Sequence, residues 1–381
     1  MKIRTITTGF SYQREMNVED FSEISDKSHM LKNSFINNDY QVQTIRMSTQ
    51  PWQDYAKTKK ELISAVQTLS QWMKNHQIDY FNIGPTEEKE CISWLSEILN
   101  ICQNVFCTVK ICNKTDIDYE SVKETAKIII KNAKLEPQGF TNLRFAALCN
   151  VSPNTPFYPA SYHDQKDVSF ALGLENSDLV YESFKEASSL KQAKKALKNR
   201  LMDTYGPLES LAKKLSKKYN IRYNGIDVSI STSIEKHESI AYAFEHLIKD
   251  YRFGQPGTLS IAKIITDTLQ SLPLKKTGYC GLMLPVLEDD GLAVRNTQNC
   301  FSITNLLLYS AVCGTGLDTI PLPGNITCSD LEHILLDVAS LSIKLQKPLS
   351  ARLMPTPDKK QGDLSNYSFP YFKNSTVMAQ R

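Results

Sequence analysis

What this sequence lacks narrows it before anything it contains. No apolar run reaches the roughly 18 residues that a bilayer span needs, and the mean hydropathy is −0.32. The opening residues, Met1–Thr7, read as a strand and lack the apolar stretch of a signal peptide. Charge of one sign is missing as well. Lys+Arg number 44 against 41 Asp+Glu, a net +3, too balanced for a protein of nucleic acid or membrane surfaces. The nine cysteines include no CxxC pair and are odd in number, so they form no disulfide framework. Cys102, Cys107 and Cys112 straddle a helix end and a strand instead of converging on one zinc. HExxH, GxSxG, GxGxxG and the Walker loop are all absent. The expectation is a cytoplasmic protein with reduced thiols and a small-molecule ligand, with neither nucleic acid nor membrane as partner. The reaction, if any, stays unnamed.

What is present is alternation. Hydrophobic residues make up 41% and charged residues 22% of 381 residues, enough for a large core. Ten strand-like runs, rich in β-branched and aromatic residues, fall at 2–8, 40–48, 78–83, 105–111, 143–151, 168–174, 223–231, 279–287, 317–322 and 348–354. Helical spacing lies between them, as in Leu62, Val66, Leu69 and Met73, or Leu331, Leu335, Val338 and Leu345. Strand, helix, strand along a whole chain predicts parallel β with helices outside. No linker divides the chain, so one domain over 1–381 is expected. The Pro-rich stretch Ser152–Pro159 follows an apolar strand and reads as a structured loop. Residues 191–222 hold ten Lys/Arg and only two acids, but Leu197, Leu201, Leu208, Leu211 and Leu215 supply an apolar face. Two amphipathic helices with a solvated basic side are predicted there.

In parallel α/β folds the ligand sits beyond the carboxyl ends of the strands, so polar residues at such ends are the candidates. Asn150 is followed by the loop to His163, stiffened by Pro153, Pro156 and Pro159. A histidine so held can be a metal ligand or a general acid/base, or simply bond a neighbouring carbonyl. Asp227, with Ser229 nearby, interrupts an apolar strand and is costly to bury unless it is hydrogen-bonded, bound to a metal or paired with an arginine such as Arg4 or Arg352. Glu288-Asp289-Asp290-Gly291 is an acidic strand-to-helix turn. Capping explains Asp290, and oxygen ligation of a metal is open to Glu288. Cys313 precedes Gly314-Thr315-Gly316 and Asp318. A thiol at a helix carboxyl end has a raised pKa, which argues against an activated nucleophile.

Several stretches together carry a pattern: Lys2–Gly9, Arg144–His163, Gly225–Ile230, Gly281–Gly291, Ala311–Pro323 and Ala351–Pro355, with Gly362-Asp363. In order and spacing the chain resembles the uncharacterised bacterial and archaeal proteins of domain-of-unknown-function family 711, also called uncharacterised protein family 0210. Residues 175–222, a helical insertion, and a divergent tail over 364–381 follow the pattern least. The resemblance implies a fold similar to pyruvate formate-lyase, a ten-stranded α/β barrel of two parallel half-barrels, in accord with ten strand-like runs. Glycyl radical chemistry does not carry over. The only glycine after Gly324 is Gly362, in Lys-Gln-Gly-Asp, and no adjacent cysteine pair exists.

The expected function is an enzyme acting on a small polar metabolite at the barrel mouth, by metal-assisted or acid/base chemistry, such as a hydrolase or lyase. Catalytic candidates are His163, Asp227, Asp318 and Cys313. Substrate-binding candidates are Arg4, Asn150, Ser229 and Arg352. A divalent cation (Mg, Mn, Ca or Zn) would use Glu288, Asp227 and His163. The alternatives are a non-catalytic metabolite-binding or regulatory protein and a cofactor-free cysteine enzyme. A homodimer through a helical face is expected.

Overall fold

The computed structural model describes residues 1–248 and 250–379. Nine strands form one sheet: β1 (Lys2–Gly9), β2 (Gln41–Ser48), β3 (Tyr80–Thr86), β4 (Val105–Cys112), β5 (Phe145–Cys149), β6 (Ser169–Glu175), β7 (Arg222–Asp227), β8 (Gly316–Pro323) and β9 (Leu349–Thr356). Their spatial order is β7-β6-β1-β2-β3-β4-β5-β9-β8. Strands β1 to β5 run parallel, as do β6 with β7 and β8 with β9. The two sets meet antiparallel at β1/β6 and at β5/β9.

Nine of the ten expected runs are therefore strands. The exception is 279–287, which holds no strand and only isolated bridges. The stretch that contains it pairs in parallel on both sides, through Ile226↔Lys276 and Ile230↔Leu282 towards β7 and through Pro285↔Asp318 towards β8. A continuous ladder fails there for identifiable reasons. Pro285 has no N–H to give, and Cys280 sits at φ 52, outside the β region.

Successive side chains of each strand face opposite sides. On β4, Val105, Cys107, Val109 and Ile111 enter the large core beneath the helices, while Phe106 turns the other way. The helices begin where the sequence supplies caps. Asn17, Thr58 and Thr327 form capping boxes with Asp20, Glu61 and Asp330. On the opposite face, Phe157 and Ala160 of the Pro-rich loop pack with Ala146, Leu148, Tyr279 and Met283. Both faces are thus covered, as a mostly parallel sheet requires. Among the described residues no helix is long and apolar enough to cross a membrane.

Two expectations change. Residues 191–222 form one helix, Leu190–Lys218, instead of two. Its buried stripe of Leu197, Leu201, Tyr205, Leu208, Ala212 and Leu215 continues through Pro207. With the helix Ser177–Lys185 it makes the crossover from β6 to β7. Parallel strands need such a connection, so this region is not an insertion. The tail also packs: Tyr367 and Phe372 cluster with Leu143, Leu287 and Met354.

The bridged segment meets the turn before β8 at two glycines. A Cβ on Gly314 would stand 2.7 Å from the Gly281 Cα, closer than real Cβ atoms come. The Gly314 N–H donates to the Leu282 carbonyl at 2.7 Å. Gly314→Ala is expected to cost about 1–3 kcal/mol in urea unfolding, as overpacking does. Gly206→Ala, in a helix with nothing within 4 Å of the added carbon, should be neutral or stabilising. Equal stability of the Gly314 variant and the parent would mean that the two segments are not held in contact.

Candidate functional site

A cavity of about 430 Å³ lies against the inner sheet face, within the usual range for small-molecule sites. Thr44 and Arg46 of β2 and Ser350 and Arg352 of β9 line it as i, i+2 pairs. Tyr80, Phe106 and Ala146 line it from the first or second residues of β3, β4 and β5. The cavity therefore meets β3, β4 and β5 at their amino ends, not at the carboxyl ends where a ligand is expected. Because the second set runs antiparallel to the first, the same space receives Ser231 from just beyond β7.

Two lining residues sit at breaks in strand register. The β1–β6 pairing shifts between Ile3 and Thr5, at Arg4. The β8–β9 pairing shifts between Leu317 and Ile320, at Asp318 and Thr319. Thr319 has φ 46, an outlier for a β-branched residue that costs of order 1–3 kcal/mol. Bulges re-aim side chains and occur beside active sites, and these two set Arg4 and Asp318 at the cavity.

Four side chains there form a chain of ion pairs. The Arg4 Nη2 donates to Glu288 Oε2 at 2.7 Å, and the Arg352 Nη2 donates to Glu288 Oε1 at 2.7 Å. The Arg352 Nε donates to Asp318 Oδ1 at 2.6 Å. Arg4 also reaches Ser231 Oγ at 3.0 Å. The two carboxyl groups are driven apart in acidity. Burial pushes the Asp318 carboxyl up, with the Glu288 charge adding to it, and Arg352 offsets only part of this. Burial acts upward on Glu288 too, but Arg352 and Arg4 together hold it below its ordinary value. One carboxyl stays a fixed anion while its neighbour holds a proton more readily, the arrangement that acid/base sites use.

Of the sequence candidates, Arg4, Glu288, Asp318 and Arg352 come together, and the others stand elsewhere. Asp227 pairs with neither arginine. Its carboxylate accepts from Ser229 Oγ at 2.6 Å and from the N–H groups of Tyr279 and Cys280 at 2.9 and 3.0 Å. The Ser229 Oγ in turn accepts from the Gly281 N–H at 3.1 Å. These two residues fasten the bridged segment to β7, and burial raises the Asp227 pKa. His163 lies by the carboxyl end of β1. Its Nε2 is 2.9 Å from the Lys166 carbonyl oxygen, and a Cβ on Gly9 would strike its Nδ1. Burial lowers its pKa. Asn150 ends β5 at φ 54 and donates to Ser342 Oγ at 3.0 Å. Cys313 is buried, which pushes its thiol up.

None of these five lines the cavity. Among the described residues no three His, Cys, Asp or Glu side chains stand together as a metal would need. The proposed set of Glu288, Asp227 and His163 is therefore not assembled, since both Glu288 oxygens are held by arginines and Asp227 is spent on backbone N–H groups. Capping at the acidic turn belongs to Asp289, which accepts from the Leu292 N–H at 2.8 Å. Asp290 instead accepts from the Tyr242 hydroxyl at 2.9 Å.

The sequence reading missed Arg46, Tyr80, Tyr158, Tyr279 and Ser350, all of which line the cavity. The Tyr279 hydroxyl donates to Ser350 Oγ at 3.0 Å. Arg46 had a signal, a cation set between the two apolar residues Ile45 and Met47 of a strand.

Arg352→Met leaves Asp318 without its cation and Glu288 with one. A loss of about 3–5 kcal/mol is expected in denaturant unfolding, as when one partner of a buried pair is removed. Asp318 has a pH signature of its own. Its folded pKa is raised, so its stabilising contribution is complete below the ordinary carboxylate range and is lost as pH rises through the folded value. Asn cannot titrate. The melting temperature of Asp318→Asn relative to the parent should therefore climb between pH 4 and pH 8, and a difference that falls over that range would contradict the raised pKa.

A family model described as Uncharacterised ACR (DUF711) matches residues 1–368. The chain is similar to a UPF0210 protein of Pyrobaculum arsenaticum, 26% identical over 300 residues, which are 76% of this chain and 65% of that protein. It is similar to a UPF0210 protein of Bifidobacterium adolescentis, 24% identical over 283 residues, 72% of this chain and 62% of the relative. A UPF0210 protein of Neisseria meningitidis serogroup C is 22% identical over 338 residues, 84% and 74% of the two chains. The matches span less than two thirds of the first two relatives' own length. With nearly its whole length matched, this chain belongs to the uncharacterised family DUF711, or UPF0210.

Proposed function

We propose that this protein is an enzyme that transfers a proton to or from a small polar metabolite in the 430 Å³ cavity, with Asp318 as the proton-exchanging group. The carrying observation is the Glu288–Arg352–Asp318 relay. Arg352 holds one oxygen of each carboxyl group, and among the described residues the second Asp318 oxygen has no hydrogen-bond donor. That oxygen is free to serve a substrate while the first keeps the side chain oriented. Arg4 and Arg352, bridged by Glu288, form a frame around it. Positioned acid/base catalysis of this kind contributes typically 10²–10⁴-fold.

Acid/base chemistry fits these residues better than divalent-ion chemistry. A cation at Glu288 would have to displace two guanidinium groups at 2.7 Å. The fold that goes with this reading is a ten-stranded barrel of two parallel half-barrels similar to pyruvate formate-lyase. The parallel bridges of Lys276, Leu282 and Pro285 to both edges of the sheet support it.

The test is a thermal-shift screen of small metabolites, with each stabilising compound then incubated in D₂O and followed by mass spectrometry. Conversion or deuterium uptake is expected with the parent protein and at least a hundredfold less with Asp318→Asn. Conversion that survives in Asp318→Asn would remove Asp318 from the chemistry. Stabilisation without conversion or exchange of any compound would make the protein a metabolite binder.

A further inference from the structure

We infer that Arg46 is the receptor for an oxyanion, a carboxylate or phosphate group carried on an apolar body. This names the substrate class for the cavity and rests on the proton-transfer reading only for the chemical step after binding.

The guanidinium of Arg46 is fixed on three sides. It lies over the ring of Tyr158 at 5.1 Å and of Tyr80 at 5.8 Å. Its Nε donates to Thr44 Oγ1 at 3.0 Å, and that hydroxyl donates to the Arg4 carbonyl at 2.8 Å. Among the described residues neither Nη meets an acceptor, and no carboxylate comes within ion-pair distance. The neighbouring charges are already matched. Arg4 and Arg352 share Glu288 and Asp318. Arg144 pairs with Glu136 and donates to the Leu99 and Cys102 carbonyls. Asp79 is exposed, and its carboxylate accepts from the Ile45 N–H at 2.8 Å. Among the described residues Arg46 is thus the one cation lining the cavity that has no ion-pair partner.

Such a cation, half-buried and stacked on aromatic faces, presents a planar pair of N–H donors that suits the two oxygens of a carboxylate or phosphate. Desolvation and the nearby Arg4 lower its pKa to about 10, which still leaves it charged at neutral pH. A second group in the cavity also lacks a partner, the buried Thr315 Oγ1. The walls between are apolar, formed by Phe106, Phe140, Phe157 and Met283. They give a non-polar body a place that inorganic phosphate cannot use.

Isothermal titration at pH 7 with benzoate, phenyl phosphate, inorganic phosphate and neutral benzamide tests this. Benzoate or phenyl phosphate should bind at least tenfold more tightly than benzamide, and phenyl phosphate more tightly than phosphate alone. The stronger of the two aryl anions identifies the oxyanion preferred. Arg46→Gln should lose at least tenfold of that affinity with its melting temperature unchanged or higher, because it removes an unpaired charge. If the glutamine variant does not fold, Arg46→Lys, which keeps the charge without the planar fork, should still bind these anions several-fold more weakly. Equal binding of benzamide, or undiminished affinity in Arg46→Gln (in Arg46→Lys where that variant replaces it), would overturn the assignment. So would phosphate matching phenyl phosphate, or the absence of any anion binding at millimolar concentration. Asp318→Asn separates the two readings. It should bind the aryl anion at least as tightly as the parent, since a nearby negative charge is gone. Anion binding with no Asp318-dependent turnover defeats only the catalytic reading, and Asp318-dependent turnover without Arg46-dependent binding defeats only this one.

Discussion

The carboxylate of Glu288, shared between Arg4 and Arg352, is the constraint on which the rest of the site depends. Isolated charges cannot be taken out of water without a partner. Two arginines from the first and last strands therefore need an anion held between them. The backbone supplies its placement: the Glu288 N–H donates to the Pro285 carbonyl at 3.1 Å, and the Thr232 hydroxyl donates to the Glu288 carbonyl at 3.0 Å. One residue, by its side chain and its backbone, so ties β1, β9, the bridged segment and the turn after β7. Well-packed hydrophobic residues of similar volume often match or exceed a buried ion-pair set in stability, so the role of this set is understood as positioning. It fixes Arg352, and Arg352 fixes Asp318.

The layered architecture was written openly in the sequence. Runs of β-branched and aromatic residues placed nine strands within a few residues, because burial of both sheet faces leaves near-continuous apolar runs. The tenth run, 279–287, was apolar enough to read as a strand, but Pro285 and the left-handed Cys280 keep it from a full ladder. Its place between β7 and the turn before β8 comes instead from Asp227 and from the paired glycines Gly281 and Gly314. Those are contacts between distant segments, and no local pattern announces them.

The site was half legible. Arg4, Glu288, Asp318 and Arg352 are all named from sequence, but the arginines are offered there only as one alternative for Asp227, a buried acid with a different set of partners. Composition could tell that buried acids needed cations, not which cation reached which acid. His163 stands apart from the cavity for a physical reason. The loop that its prolines stiffen fills the inner face with Phe157 and Ala160, while the His163 ring lies against Gly9 at the carboxyl end of β1. Two bulges did leave a trace that was overlooked. Ile3 and Ile6 enter one core, as do Leu317 and Ile320, each pair three residues apart where strict alternation demands an even step. An odd step inside a strand means an extra residue, and the residues inside these steps include Arg4 and Asp318.

That coincidence explains why the expected rule about strand ends held for only part of the molecule. In a singly directed parallel sheet every strand delivers its polar ends to one side. Here two parallel sets run in opposite senses, so one cavity takes the starts of β3, β4 and β5 and the residues beyond β7. Polar ends cannot supply both sets of ligating groups from the same side. Bulges solve the problem by turning a mid-strand residue inward at a local cost in strain, visible at Thr319. A fold with antiparallel seams must therefore recruit chemistry from within its strands. Arg46 obeys the same logic without a bulge, facing inward by ordinary alternation between Ile45 and Met47, which face the helices.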